Sequence, residues 1–448
     1  MAVNYREIDK SHVWHPLFQH QSLNDSDLTV FKSADGCIIV DDEGKEYLDA
    51  YSALWNVNVG YGRQEIVNAV YDQMKELPYY PHSQINVPAT QLAEKLASVL
   101  PGDLNHVYFC NSGSEANETA IKIARQYGKL TYPDQNRYKI ISRYQGYHGF
   151  TFGAMSATGQ VVRRKAFEPL VPGFHHAHPP YCHRCPLGLE YPSCNVACVE
   201  EIERMIRAEG AETVIAVIAE PIIGGGGIID PPDDYFPRLR EICDDYGLLL
   251  ILDEVITGFG RTGKMFACEH WDVQPDIMTM AKGLTSGYLP LGACVTSTEV
   301  FNTFLGSPEE KREFSQVCTY GGHPAACAAG VANLEILQTE RLWENAEKVG
   351  KYLFDKLSTL KSMPIVSDVR GKGLMIAVEL CEADGSRLKT KKTNKISGQL
   401  KENGLIVGKI GHAIEEDENI LHIAPPLILS EVEADTIHDI LRDVLLKQ

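Results

Sequence analysis

Between about residue 100 and residue 300, short and nearly all-apolar runs alternate with longer amphipathic ones. The apolar runs are "HVYFC" (106–110), "YKIIS" (138–142), "TVIAVIAE" (213–220), "LLLILDE" (248–254), "IMTM" (277–280) and "GACVT" (292–296). They lack the alternation of a half-solvated strand and predict strands covered on both faces. Between them, "VEEIERMIRAEG" (199–210) and "YFPRLREICDDYG" (235–247) predict helices, each stopped by a glycine. This order predicts an α/β domain built on a mostly parallel sheet. After about residue 325 the texture changes. A long helical stretch begins with "AACAAGVANLEILQ" (325–338), strands follow near "GLMIAVEL" (373–380), "LIV" (405–407) and "ILHI" (420–423), and a last helix starts at Ser430, which fits a capping box with Glu433. We read residues 1–55 as an N-terminal arm joined to the smaller domain, 56–325 as a large domain and 326–448 as a smaller α+β domain.

The balance of charge narrows the partners. With 42 Lys and Arg against 60 Asp and Glu the net charge is −18, which argues against nucleic-acid and anionic-membrane partners. No apolar run is long enough to span a bilayer, and the first residues, "MAVNYREIDKSHVWHPLF", have no apolar signal segment, so a cytoplasmic protein is expected. The twelve cysteines are then expected to be thiols. Cys182, Cys185, Cys194 and Cys198 fall in one short, proline-stiffened stretch whose CxxC start resembles a zinc knuckle. Its second pair is CxxxC, and a compact excursion with packed thiols and no metal is the reading taken.

In open α/β sheets, ligands bind beyond the carboxyl ends of the strands, so residues there matter most. In "VYFCNSGSEANETAIKIARQYG", Ser112 and Glu115 predict a capping box, and Ala116, Ala120, Ala124 and Tyr127 predict the buried helix face. Gly113 and the Ser114 hydroxyl at that helix start predict an anion site. Asp253 ends the most apolar strand, where a carboxylate is costly unless paired, and a ligand cation is an attractive partner. Tyr147 and His148 follow another strand and could stack on a planar ring. In "IMTMAKGL" a lysine, Lys282, arrives at a strand exit. A phosphate, a pyridinium and an aldehyde together would use all of these, and pyridoxal 5'-phosphate has all three.

With "YHG", "AEPI", "LDEVITGFGRTG", "DIMTMAKGL" and "TYGGHPAA" in the same order and spacing, the chain resembles the class III (omega-amino acid) pyridoxal-phosphate aminotransferases of the aspartate-aminotransferase fold type, fold type I. The resemblance implies a two-domain subunit and a homodimer, or a dimer of dimers, with active sites at the interface. It implies that Lys282 bonds the cofactor and moves the proton, and that Asp253 pairs with the pyridine nitrogen. Val255, on the same side of the strand as Asp253, and Tyr147 would hold the ring faces, Gly113 and Ser114 the phosphate, and Thr319 the partner subunit's phosphate, with Glu220 near the pocket. An amine donor would then give its amino group to the cofactor, and a keto-acid acceptor would take it up.

"YSALWNVNVGYGR" resembles the amine–pyruvate and taurine–pyruvate branch, and implies a pocket lined by Leu54 and Trp55 with Phe150 opposite. A primary amine such as taurine or beta-alanine and a pyruvate acceptor are expected. The alternative is the S-adenosylmethionine-using aminotransferase of biotin synthesis, against which Leu17 and Phe150 count, since that branch has polar groups there. His422 stands where many members carry a carboxylate-binding arginine, which leaves Lys409, His412 or Arg163 for that role. Outside transaminases, an aminomutase or decarboxylase of the same fold, or a metal-dependent binding protein built on the cysteines, would be the competing readings.

Overall fold

The structure, a computed structural model, describes residues 4–22, 28–409 and 418–448. Near the N-terminus β1 (Phe31–Asp35), β2 (Ile38–Asp41) and β3 (Glu46–Asp49) form an antiparallel meander. The chain then builds a seven-stranded sheet from β4 (Leu104–Cys110), β5 (Lys139–Arg143), β6 (Phe174–Ala177), β7 (Val214–Ala219), β8 (Leu249–Asp253), β9 (Ile277–Met280) and β10 (Gly292–Ser297), in the order β4-β10-β9-β8-β7-β5-β6. Every residue of β7, β8 and β9 is buried, as their unbroken apolar pattern demands. Strand β10 alone runs against its neighbours β4 and β9. Segment 281–291, which joins β9 to β10, is shorter than a crossover helix needs, so an antiparallel return is the available connection. The short, histidine-bearing β6 has no apolar run and escaped the pattern reading.

Helices cover the sheet. Those that matter for the site are α1 (Gly113–Thr131), α2 (Ala197–Glu209), α3 (Tyr235–Tyr246), α4 (Pro324–Glu340), α5 (Leu342–Ser358) and α6 (Glu431–Leu445). The stretch read as one long helix after residue 325 is two, α4 and α5, broken at Arg341 with φ +50. The Ser430–Glu433 box at α6 forms as expected. At α1 only half of the expected box forms. Ser112 Oγ accepts the Glu115 N–H at 3.2 Å, but the Glu115 carboxylate reaches back to the Asn111 N–H at 2.7 Å.

A second antiparallel sheet consists of β11 (Val366–Lys372), β12 (Met375–Leu380), β14 (Gly408–Lys409) and β15 (Ile420–Ile423). Strand β13 (Leu405–Ile406) leaves it to pair in parallel with β3, setting Leu405 opposite Leu48. The Ala424 N–H donates to the Ala50 carbonyl at 2.8 Å, which adds a second tie between the first fifty residues and the last.

The cysteine-bearing excursion lies between β6 and α2. Its four thiols are free and line one small apolar cavity of about 20 Å³ together with Pro179, Pro180 and Tyr191. Among the described residues no three His, Cys, Asp or Glu side chains gather as a metal site. The excursion's other feature is a clasp. Tyr181 and Arg184 both donate to the buried carboxylate of Glu379 on β12, which also takes Arg370 Nη1 at 2.8 Å.

Candidate active site

Lys282 follows β9 by two residues, and its backbone sits at φ +43. That region costs a non-glycine residue about 1–2 kcal/mol and persists where the surroundings impose it. The surroundings are identifiable. A Cβ on Gly283 would lie 2.5 Å from Asn58 Nδ2 and 3.0 Å from Phe259 Cβ, so only glycine fits after the lysine. Asn333 of α4 donates to the carbonyls of Gly283 (2.8 Å) and Leu284 (3.1 Å) and accepts from Ser286 Oγ at 2.6 Å. The strained turn is thus clamped from behind, with the lysine at its start. Among the described residues nothing comes within hydrogen-bond distance of the Lys282 amine. Burial pulls its pKa below the ordinary lysine value, against the opposing pull of Asp253 and Glu220.

Asp253 closes β8 and is 3 % exposed. Sequence reasoning left its partner to a ligand. In the structure Oδ2 accepts Asn117 Nδ2 at 2.7 Å and faces His148 Nδ1 at 2.9 Å, while Oδ1 accepts the Val255 N–H at 3.1 Å. Thr279 Oγ1 donates to Asn117 Oδ1 at 2.8 Å, which fixes the amide with its N–H groups toward Asp253. A carboxylate offers about four acceptor positions, so three partners leave capacity for a cationic N–H from the cavity side. Asn117 and His148 are therefore functional residues that the sequence reading missed in this role. His148 is spent on Asp253, which leaves Tyr147 as the aromatic wall.

At the start of α1 the first intrahelical bond is Ala116 N–H to the Ser112 carbonyl, at 3.0 Å. The N–H groups of Gly113 and Ser114 lie ahead of it, at the positive end of the helix. Ser114 Oγ accepts the Phe150 N–H at 3.1 Å, so its own proton is available to an acceptor. Space is made by glycines. A Cβ on Gly113 would lie 2.9 Å from Val255 Cγ1, and one on Gly149 (φ +139) would lie 2.6 Å from Ser114 Oγ. Glu220 is buried at the next strand end. It accepts the N–H groups of Tyr147 and Gly224, each at 2.9 Å, and burial pushes its pKa up.

Leu54, Gly113, Ser114, Tyr147, Phe150, Glu220, Asp253, Val255 and Lys282 line one cavity of about 470 Å³. The structure corrects three details of the sequence reading, at Val255, Trp55 and Lys409. Val255 reaches the cavity from the turn after β8, because the strand ends at Asp253. Trp55 does not line the cavity. Left-handed backbone at Ser52, Ala53 and Trp55 turns its ring inward, 4.8 Å from Tyr51 and 5.3 Å from His422, and presents Leu54 instead. Thr319, expected to serve the partner subunit and not its own, is exposed and stands outside this chain's cavity, its carbonyl accepting the Tyr79 hydroxyl at 2.6 Å. Of the three candidates for the acid-binding cation, Lys409 is exposed and bonded to Asn394, away from the cavity, and His412 lies outside the described residues. Arg163 stands over the Tyr147 ring, 5.2 Å from its centre.

The donor set fits pyridoxal phosphate part by part, with a helix start and hydroxyl for the phosphate, a buried carboxylate for the ring nitrogen, and an amine with depressed pKa for the aldehyde. Comparison with known proteins agrees. The chain matches the class-III aminotransferase family over residues 21–445. It is 46% identical over 434 residues to the Bacillus subtilis (strain 168) protein described as the uncharacterized aminotransferase YhxA, which covers 96% of this chain and 94% of that one. To the taurine–pyruvate aminotransferase of Bilophila wadsworthia it is 41% identical over 435 residues, 96% of this chain and 94% of the other. A solved structure of a Bacillus anthracis aminotransferase superposes with TM-score 0.95 at 43% identity, covering 99% of this chain and 98% of that one. The chain belongs to the class III aminotransferases, of fold type I. It is a pyridoxal-phosphate-dependent aminotransferase and acts on an amine donor and a keto-acid acceptor.

Proposed function

We propose that this enzyme is a cytoplasmic, homodimeric omega-transaminase that moves the amino group of a short primary amine, with taurine or beta-alanine the leading donors, to pyruvate. The observation that carries the reading is the cavity wall. Leu54 and Phe150 form an apolar side, and Lys282 is the one Lys or Arg among the described lining residues. A site that clamps a second carboxylate with a bidentate arginine selects diacids, and the described residues of this wall include no such clamp, so small pyruvate loses least. The 41% identity to a taurine–pyruvate aminotransferase supports the same choice. Exposed Ile85, Val317 and Tyr320, the last two flanking the Thr319 segment, support pairing with a second copy, in which Thr319 would reach the partner's phosphate site.

Bound in the cavity, pyridoxal phosphate supplies the aldehyde that takes up the amino group and a ring that draws electrons from the neighbouring carbon. The chain supplies the rest. Asp253, held in place by Asn117 and His148, would pair with the ring nitrogen. Tyr147 and Val255, both on the cavity wall, would hold the faces of the ring. Lys282 Nζ, neutral more often than an exposed lysine, takes the proton from the amine-bearing carbon of the donor and returns it later. A spectroscopic screen of the yellow holoenzyme tests the proposal. Taurine, beta-alanine or a small amine should bleach it, and pyruvate should restore the colour. Faster recovery with 2-oxoglutarate than with pyruvate overturns the acceptor. Bleaching by S-adenosylmethionine alone returns the biotin-synthesis reading.

A further inference from the structure

We propose that Asn333, buried on α4 and outside the cavity, is the positioning residue that sets Lys282 for proton transfer. The inference rests on the reading of Lys282 as the proton carrier. Among the described residues the Lys282 amine has no hydrogen-bond partner, so the backbone that bears it fixes where the side chain starts. That backbone is one turn of 3₁₀ helix, Lys282–Leu284. The Leu284 N–H donates to the Ala281 carbonyl at 2.9 Å, and the Thr285 N–H to the Lys282 carbonyl at 3.2 Å. The carbonyls of Gly283 and Leu284 are left over, as the last carbonyls of a helical turn are, and in a buried place they need a donor. Asn333 Nδ2 is the donor to both. Both carbonyls can only accept, so the amide presents its N–H side to them. Oδ1 then accepts from Ser286 Oγ at 2.6 Å, and that oxygen accepts the Val59 N–H at 3.2 Å. The backbone is left-handed at Lys282 (φ +43) and again at Ser286 (φ +51), and the one amide bonds to the chain between them and to Ser286 itself. Helix α4 abuts the turn closely. A Cβ on Gly330, one helical turn before Asn333, would touch the Leu284 carbonyl oxygen at 3.6 Å. Asn333 is also the one amide among the buried residues of α4, a helix whose buried face is otherwise built from small and apolar side chains. Without it the turn can relax out of left-handed backbone, and the lysine side chain then starts from another direction. A misplacement of about 1 Å at a reacting atom lowers a rate by about 10²-fold.

The experiment compares the parent with Asn333→Leu, which keeps the bulk and removes the donors, and with Ser286→Ala, which removes the partner of Oδ1 and leaves the two carbonyls bonded. Bleaching of the yellow holoenzyme by alanine, the amine that the pyruvate half-reaction yields, is followed by stopped flow with hydrogen or deuterium on the amine-bearing carbon. Asn333→Leu should lower the maximal bleaching rate about 10- to 100-fold and raise the isotope effect, with half-saturating alanine within about two-fold of the parent. Ser286→Ala should move both in the same direction by less. A second readout needs no turnover. In the cofactor-free protein, the rate at which acetic anhydride labels Lys282, located by peptide mapping, is measured against pH. Burial holds this amine's pKa down, while Asp253 and Glu220 favour its charged form. A relaxed turn loosens the burial, so the apparent pKa of labelling should rise by about half a pH unit or more in Asn333→Leu. Leu353→Ala on α5, a fully buried position away from the turn, controls for lost stability alone and should change neither readout. If Asn333→Leu matches that control, or loses rate with the isotope effect and the labelling pKa unmoved, the amide serves only the fold and the proposal is overturned. If Asn333→Leu does not fold, Ser286→Ala decides by the same two readouts. If the parent prefers 2-oxoglutarate, glutamate takes the place of alanine and the same outcomes decide. Turnover retained by Lys282→Ala would defeat the proton-carrier reading by itself, whereas an unmoved labelling pKa defeats only the role of Asn333.

Discussion

Two of the buried carboxylates, Asp253 and Glu379, are treated in opposite ways. Asp253 ends β8 at the cavity, 3 % exposed, and its partners are an amide, an imidazole and a backbone N–H. Glu379 sits on β12, 0 % exposed, and is enclosed by Arg184, Arg370 and the Tyr181 hydroxyl. Burial would raise the Glu379 pKa, but Arg370 and the surrounding hydrogen bonds override it and hold it at about 2. Its charge is consumed inside the chain, where it fastens the cysteine-bearing excursion to the second sheet. Among the described residues Asp253 has no arginine or lysine in hydrogen-bond contact, so its remaining acceptor capacity is directed at whatever occupies the cavity. Glu379 is neutralised from within and serves architecture, whereas Asp253 is hydrogen-bonded but not neutralised and faces the cavity.

The largest effect should come from the group that faces Asp253 across the cavity. Lys282→Ala should lower turnover by on the order of 10⁴-fold or more, since it removes both the covalent anchor and the proton carrier. The fold should persist, because the strained turn is clamped by Asn333 and not by the lysine side chain. Borohydride reduction and peptide mapping of the parent should place the cofactor on Lys282, and label on another lysine defeats the assignment. The comparison predicts a different kind of failure for Glu379→Gln. Breaking this buried cluster leaves Arg184 without its carboxylate and Arg370 with Asp368 alone, and should destabilise by about 3–5 kcal/mol, seen as a lower urea midpoint. The rate per folded enzyme should stay within about two-fold of the parent. A large loss of kcat without a loss of stability would erase the distinction between the two acids. Asp253→Asn should invert that pattern. It should fold and bind cofactor, yet slow proton transfer roughly 10²- to 10³-fold, as removal of one preorganised charge from a reaction centre does. Stopped-flow bleaching by the donor measures it, and a rate within a few-fold of the parent contradicts the role.

How much of this was legible in the chain follows from sequence distance. Lys282, Asp253, Glu220 and Gly113 could be found because each stands at or just past the end of an apolar run, and parallel strands bring such ends to one edge. The companions of Asp253 could not. His148 is 105 positions away and Asn117 is 136, and neither carries a periodic signal. Trp55 was misplaced for a local reason, since three left-handed residues between Ser52 and Trp55 reverse which side chain faces in, and no hydrophobic pattern encodes that. The direction of β10 was hidden as well, because an apolar run does not say which way it points. The Glu379 clasp joins residues nearly two hundred positions apart in two sheets' surroundings, so only the folded chain reveals it.

A third buried titratable group completes the comparison, and its effect is the smallest. His422 on β15 is 0 % exposed, both ring nitrogens are unpaired among the described residues, and it packs against Trp55 and Tyr51. It is neither neutralised like Glu379 nor aimed at a ligand like Asp253, and is kept uncharged. Burial, with the nearby Arg370 adding to it, lowers its pKa to about 3. The sign of the consequence is fixed. In the unfolded chain a histidine protonates near pH 6.5, so as pH falls from about 6.5 toward 3 the unfolded state gains a proton that the folded state refuses. Stability should fall by about 1.4 kcal/mol per pH unit in that window, or roughly 2 kcal/mol between pH 6.5 and 5. His176, with its pKa lowered to about 4 by burial, acts in the same direction and remains in any His422 variant. His422→Leu should therefore reduce the acid slope without abolishing it. It should also cost little at pH 7.5, because it replaces an unpaired polar ring with an apolar side chain. Urea midpoints of parent and variant at pH 7.5 and pH 5.0 decide the matter. If the two proteins lose the same stability between those values, His422 is not held neutral in the fold, and the three-way contrast reduces to two.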